Sequence, residues 1–201
     1  MPNKYQIAIL GGGPGGYVAA IRAAQLGFKT VVIDKDNLGG ICLNWGCIPT
    51  KSLLKNAEIY DNVKNHGKDF GIYTTDLSFK FDEIIKRSRD ISDKITKNVE
   101  MLIKKNKVDR IRGFGKLISQ NEIEIFDKDG KKIETISADN IIIATGARPK
   151  VFPNIPVDRK NIITSTEAMS LSEQPKELVI IGAGAIGIEF AYFYSVLSTK
   201  V

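Results

Sequence analysis

The sequence predicts an α/β fold, and three observations predict it. A short apolar run, a glycine-rich turn and a helical stretch open the chain at residues 5–26, and a second apolar run follows. The same order returns at residues 177–198. Between the two, apolar and polar residues alternate over residues 122–136, the mark of an antiparallel hairpin inserted into an otherwise parallel arrangement.

Each element follows from its spacing. "YQIAIL" is a short buried strand that runs into "GGGPGG", and "YVAAIRAAQLG" places Val18, Ile21, Ala24 and Leu26 at helical intervals. "KTVVID" is the second buried strand, so residues 5–34 read as a βαβ unit. Ile84, Ser88, Ile91, Ile95, Val99 and Leu102 then step by three and four, which predicts a long helix covering a sheet. "EIEIF", the turn "DKDG" and "KKIETI" form the hairpin, and "NIIIATGARP" is a further buried strand stopped by Gly146 and Pro149. "VFPNIPVDRKN" carries two prolines and reads as a connector, dividing the chain into residues 1–150 and residues 151–201. Beyond it, "ELVIIGAGAIGIEFAYFYSVLS" is again strand, glycine turn and helix, and the closing "TKV" resembles the start of another strand. The expectation is a piece of a longer protein whose second unit is cut before its sheet is complete.

Composition excludes several classes. With 43% hydrophobic and 26% charged residues the chain can bury a core and is not a disordered tail. No apolar run approaches the roughly 18 residues of a membrane span, and the first apolar run lacks a basic leader, so the reading is a cytoplasmic protein without a membrane partner. The net charge of +6 is spread along the chain without aromatic interleaving or a compact basic motif, which argues against nucleic acid as a partner.

The glycine turns carry the first chemistry. Gly11, Gly13 and Gly16 follow a strand and open a helix. The first allows the tight turn, the second lets the backbone approach a pyrophosphate, and the third lets helix pack on strand. Asp34 closes the second strand 18 residues after Gly16, where a carboxylate can accept hydrogen bonds from an adenosine ribose. Gly182, Gly184 and Gly187 repeat the spacing without an acidic partner in the chain, so NAD and NADP are not told apart there. Both turns are read as dinucleotide sites in Rossmann-like folds.

The two cysteines, Cys42 and Cys47, lie within "GGICLNWGCIPTK" at residues 39–51, shortly after Asp34. A nicotinamide exchanges a hydride, a disulfide accepts electrons through thiolate chemistry, and a flavin does both, which assigns FAD to the first site and a nicotinamide to the second. Pro49 suits a first helical turn, so Cys47 is expected near a helix N-terminus, where the dipole and Lys51 favour a thiolate. Buried inert thiols remain a second reading, because cysteine is among the most buried residues. A zinc site would need two more ligands, and His66 is the only histidine, so no metal is expected.

"GGICLNWGCIPTKSLL" closely resembles the redox-disulfide segment of the flavin disulfide oxidoreductases, above all the dihydrolipoyl dehydrogenase type. "GGGPGGYVAA", "GFGKL", "IIIATGARP", "ITSTEAMSL" and "IIGAGAIGIEF" extend the likeness over the whole chain. The resemblance implies a Rossmann-like FAD-binding domain with an inserted antiparallel hairpin or meander, followed by the start of a second Rossmann-like, NAD-binding domain. It implies a redox disulfide between Cys42 and Cys47, with Cys42 as the thiol that meets the substrate and Cys47 as the thiol facing the flavin. Lys51 resembles the lysine beside the flavin, paired with Glu189. Gly115, Thr145 and Gly146 match backbone positions close to FAD. The implied activity is oxidation of protein-bound dihydrolipoyl groups, the implied partners a lipoyl-bearing acyltransferase of a 2-oxo acid dehydrogenase complex and a second copy of the chain. The family's catalytic base falls outside residues 1–201, so this chain alone is expected not to turn over. The alternatives are a glutathione or mercuric reductase, and a nucleotide-binding module without catalysis.

Overall fold

A computed structural model describes residues 3–201. Contacts divide the chain into two compact units, residues 1–44 with 93–148 and residues 45–92 with 149–201.

The first unit is built on a six-stranded sheet. Its strands are β1 (Asn3–Leu10), β2 (Thr30–Asp34), β3 (Asp109–Arg112), β4 (Phe114–Leu117), β5 (Glu122–Phe126) and β6 (Lys132–Ile143), in the order β3-β2-β1-β6-β5-β4. Strands β3, β2, β1 and β6 run parallel, while β6, β5 and β4 are antiparallel. Val31, Val32 and Ile33 are buried on both faces of β2, as a central parallel strand requires. Helix α1 (Pro14–Gln25) meets β1 and β2 through Gly16, Ala20 and Ala23, whose small side chains let it approach closely. In β5 only Ile123 and Ile125 are fully buried, with Glu122 and Glu124 on the other face.

The hairpin forms where its alternation predicts it. Asp127 caps the turn by accepting the amides of Asp129 and Lys131, and Gly130 supplies a φ of +79°. One expectation needs correction. "KKIETI" and "NIIIATGARP" are not two strands. Residues 132–143 form a single strand whose first half pairs antiparallel with β5 and whose second half pairs parallel with β1, Asn3 opposite Ile136 and Leu10 opposite Ile143.

The second unit packs α3 (Cys47–His66) against α6 (Ala185–Val196), with the start of α4 (Phe81–Lys105), the short α5 (Ser165–Ala168) and a 3-10 turn at Gly67–Phe70. Leu53, Ala57, Phe81, Ile85, Met169, Phe190, Phe193, Tyr194 and Leu197 form its core. The Tyr194 hydroxyl, buried, donates to the Ala168 carbonyl at 2.6 Å.

Two further expectations change. The buried face of α4 is Phe81, Ile85, Ser88, Ser92, Thr96, Val99 and Ile103, rotated from the apolar stripe so that Leu102 is exposed. Ser88 and Thr96 can lie on this face because neighbours take their bonds: Ser88 donates to the Pro49 carbonyl, and Thr96 to the Asn44 side chain, while the buried Ser92 hydroxyl has no partner among the described residues. The expected strand at "LVII" does not become part of a ladder. Its only pairing is an isolated parallel bridge between Glu177 and Lys200, and Val179 and Ile181 are 88% and 66% exposed. An apolar run takes strand form only where a neighbouring segment continues its hydrogen bonds, and among the described residues the pairing goes no further than this one bridge.

Candidate dinucleotide and thiol site

The glycine turn after β1 is shaped by contacts that exclude side chains at two of its three positions. Gly11 has φ +103°, donates its amide to Ile33 at 2.8 Å, and a Cβ there would meet the Ala144 carbonyl. A Cβ on Gly16 would collide with the Gly11 carbonyl. Gly13 differs. Its Cβ would meet only Gly40 Cα, at an ordinary 3.7 Å, so the chain itself does not demand a glycine there. What a side chain would fill is the space at the start of α1, a twelve-residue helix with no acidic residue in its first turn and no side-chain cap. The positive end of α1 is thus open to an anion, and the residues fit a bound pyrophosphate.

Asp34 ends β2 at this turn. Its carboxylate accepts the Gly12 amide at 2.5 Å through one oxygen and the Asp36 amide at 2.9 Å through the other. Each oxygen keeps a lone pair that can accept a further hydroxyl. The loop that follows folds back on the turn: the Gly39 amide donates to the Gly12 carbonyl at 2.8 Å, and a Cβ on Gly40 would touch Gly13 Cα. Helix α2 (Gly40–Trp45) carries Cys42. The Asn44 amide nitrogen donates to Leu38 and Gly40 carbonyls, fixing the loop ahead of the thiol.

In the second unit Cys47 is the first residue of the 20-residue α3. No acidic residue lies in the first turn, so the helix start presents its amides without a competing carboxylate. Lys51 follows one turn on, its ammonium 3.4 Å from Glu189 of α6. The second glycine turn repeats the first in its local geometry, although no strand ladder precedes it. Gly182 has φ +111°, Gly184 caps α6 with an extended backbone as Gly13 caps α1, and a Cβ on Gly187 would collide with the Gly182 carbonyl. Nothing lies within 4 Å of a Cβ on Gly184.

Among the other candidates, Gly115 has a packing reason of its own, since a Cβ there would strike Leu10. Thr145 and Gly146 follow β6 in an exposed segment next to the first turn, where Ala144 donates to Leu10 at 2.7 Å. Cys42 and Cys47 are thiols here, without the disulfide the resemblance implies. His66 is half exposed, 3.8 Å from Asp69. Among the described residues no group of three or more metal-ligating side chains assembles. Gly12, Gly39, Gly40 and Asn44 were not singled out by sequence. The signal was there for the glycines, a second glycine pair immediately before the first cysteine, but nothing in the sequence ties Asn44 to a carbonyl four and six residues behind it.

Comparison with known proteins places this geometry. The family model for pyridine nucleotide-disulphide oxidoreductases matches residues 5–201. Dihydrolipoyl dehydrogenases from Chlorobaculum parvum and Zymomonas mobilis are each 45% identical to the chain, over 98% and 100% of its length. The mitochondrial dihydrolipoyl dehydrogenase of Schizosaccharomyces pombe is 45% identical over 99%. The chain spans 42%, 43% and 39% of these three relatives, about two fifths of their length. Among solved structures, a Cu(II) complex of the HOCl-induced flavoprotein disulfide reductase RclA from Escherichia coli superposes with a TM-score of 0.82 at 28% identity, covering 98% of this chain and 41% of that one. A match that begins inside β1 and runs to the last residue leaves almost none of the described fold outside it, and the chain belongs to the pyridine nucleotide-disulphide oxidoreductase family.

Proposed function

We propose that this chain supplies the flavin cradle and the redox thiols of an enzyme that oxidises protein-bound dihydrolipoyl groups with NAD as acceptor. The observation that carries the reading is the placement of Cys47 at the first position of α3, with Lys51 one turn on and held 3.4 Å from Glu189, on the helix opened by the second glycine turn. The relatives named dihydrolipoyl dehydrogenase support the choice of substrate. On this reading residues 1–150 belong to the FAD-binding part, and residues 151–201 are a connector and the beginning of the NAD-binding part. The partners are a lipoyl-bearing acyltransferase and a second copy of the chain, in the cytoplasm.

The residues divide the work as follows. The amides opening α1 and the space beside Gly13 hold a pyrophosphate, and Asp34 takes the adenosine ribose. A dihydrolipoyl thiolate attacks Cys42 of the disulfide. The bond to Cys47 breaks, and Cys47 leaves with the electron pair at the start of α3, where the helix amides receive negative charge. The second substrate thiol then closes the substrate's own disulfide and releases Cys42. The chemistry FAD supplies when bound is two-electron exchange between thiols and a nicotinamide. Lys51, oriented by Glu189, sets a cation on that path.

The test is an anaerobic absorbance titration of the intact protein with dihydrolipoamide. A flavin spectrum that responds to stoichiometric dihydrolipoamide, and is restored by NAD, is expected. A flavin that responds to NADPH and glutathione or mercuric ion instead, or no flavin at all, overturns the assignment.

A further inference from the structure

Three consecutive residues of α4 reach three successive points around the start of α3. Arg87 donates to the Ser52 hydroxyl at 2.9 Å, Ser88 donates to the Pro49 carbonyl at 3.1 Å, and the Arg89 guanidinium lies 4.4 Å over the ring of Trp45. Trp45 is the largest side chain between the two cysteines, and it stands two residues before Cys47. Ser88 is fully buried, so its bond to Pro49 sits out of competition with water. The three contacts therefore bracket Cys47 from both sides in sequence: Trp45 before it, Pro49 and Ser52 after it.

We propose that Arg87, Ser88 and Arg89 form a positioning clasp for the redox pair, with the stack of Arg89 on Trp45 as its adjustable member. The inference rests on the redox reading above. Its two guanidinium groups put positive charge on residues flanking Cys47, where the electron pair arrives when the disulfide opens, and this favours the dithiol over the disulfide. Loosening the clasp shifts the exchange equilibrium toward the disulfide and changes the rate at which Cys47 is alkylated, without touching either sulfur.

The experiment equilibrates the full-length protein with mixtures of reduced and oxidised dithiothreitol, then counts protein thiols by alkylation and mass. In this exchange dithiothreitol loses two electrons and two protons as its own S–S bond closes, and the bond between Cys42 and Cys47 opens to two thiols. Arg89→Met is expected to shift the equilibrium constant toward the disulfide by roughly threefold, the size of a partly exposed cation–π contact. Arg89→Lys, which keeps a cation, is expected to recover most of the shift. In a Trp45→Leu background Arg89→Met should add little, because its partner is already gone. Trp45→Phe keeps a ring face and guards against loss of folding, which thermal melting of every variant checks. A folded Arg89→Met with the wild-type equilibrium and Cys47 alkylation rate overturns the clasp. A wild-type protein that forms no disulfide in oxidised dithiothreitol overturns the redox reading instead, and the clasp with it.

Discussion

The carboxylate of Asp34 accepts the backbone amide of Gly12 at 2.5 Å, so the acid that ends β2 ties the glycine turn to its neighbouring strand before any ligand is bound. Asp34→Ala removes a charged acceptor from a part-buried amide and is expected to cost about 1.5–3 kcal/mol. Asp34→Asn, which keeps a neutral acceptor, should cost less. Urea unfolding of the cofactor-free protein measures both, and equal stability of Asp34→Ala and wild type would show that the bond does not form in solution.

The glycines of the first turn should separate into two kinds. Gly16→Ala forces a Cβ into the Gly11 carbonyl and is expected to destabilise the fold by about 3 kcal/mol. Gly13→Ala meets only an ordinary contact with Gly40, so its effect on stability should stay within about 1 kcal/mol. Its loss should appear in flavin retention, read as the ratio of flavin to protein after gel filtration. Unchanged retention would remove the pyrophosphate from this position.

The cysteines differ in exposure, Cys47 being exposed and Cys42 partly covered. In reduced, flavin-free protein Cys47 should therefore react with iodoacetamide several-fold faster than Cys42, as peptide mapping would report. Adding FAD should protect Cys47 and reverse the order. Protection of Cys42 alone would exchange the roles proposed for the two thiols.

Alkaline pH should destabilise both units. Burial, with help from Asp109, pushes the Tyr5 hydroxyl up to about 12, and burial raises Tyr194 as well. An unfolded tyrosine loses its proton near about 10. Between that value and the folded one the unfolded chain binds fewer protons, so stability is complete below about pH 10 and falls as pH rises toward 12. Urea midpoints at pH 8, 10 and 11.5 check this. Tyr194→Phe should flatten part of the fall while losing about 1 kcal/mol at neutral pH, because the Ala168 carbonyl is left without its donor. A midpoint that does not move with pH would be inconsistent with buried, protonated tyrosines.

Much of this fold is legible in the sequence. β1, α1 and β2 follow from apolar runs and glycine spacing, because those signals are local. β3 and β4 were missed: each is four residues long and carries charges, including Asp109, Arg110, Arg112 and Lys116, so neither shows a period. The buried face of α4 is rotated from the expected stripe because Ser92 and Thr96 look polar in sequence, yet both are buried, Thr96 with a bond to Asn44 and Ser92 without a partner among the described residues. At Val179 and Ile181 the pattern of a strand is present without the pairing, since apolar character is local and hydrogen-bond partners are not. Lys51 and Glu189 were paired through the family likeness alone. The contacts of Arg87 and Ser88 with α3 and of Arg89 with Trp45 join residues some 35 to 44 positions apart with no periodic trace.

The double pairing of β6 has a consequence for biosynthesis. Of the six strands of this sheet β1 is made first, and β2 can join one of its edges early. Its other edge belongs to the second half of β6, which is made only after β2, β3, β4 and β5. Through that interval β1 carries an open, apolar edge, the kind of surface that recruits other chains. The β5–β6 hairpin closes by local contacts as soon as it emerges and presents the rest of β6 already extended. Slowing hairpin closure, for instance at the Asp127 turn, would therefore lower the yield of nascent chains more than it lowers the stability of finished ones.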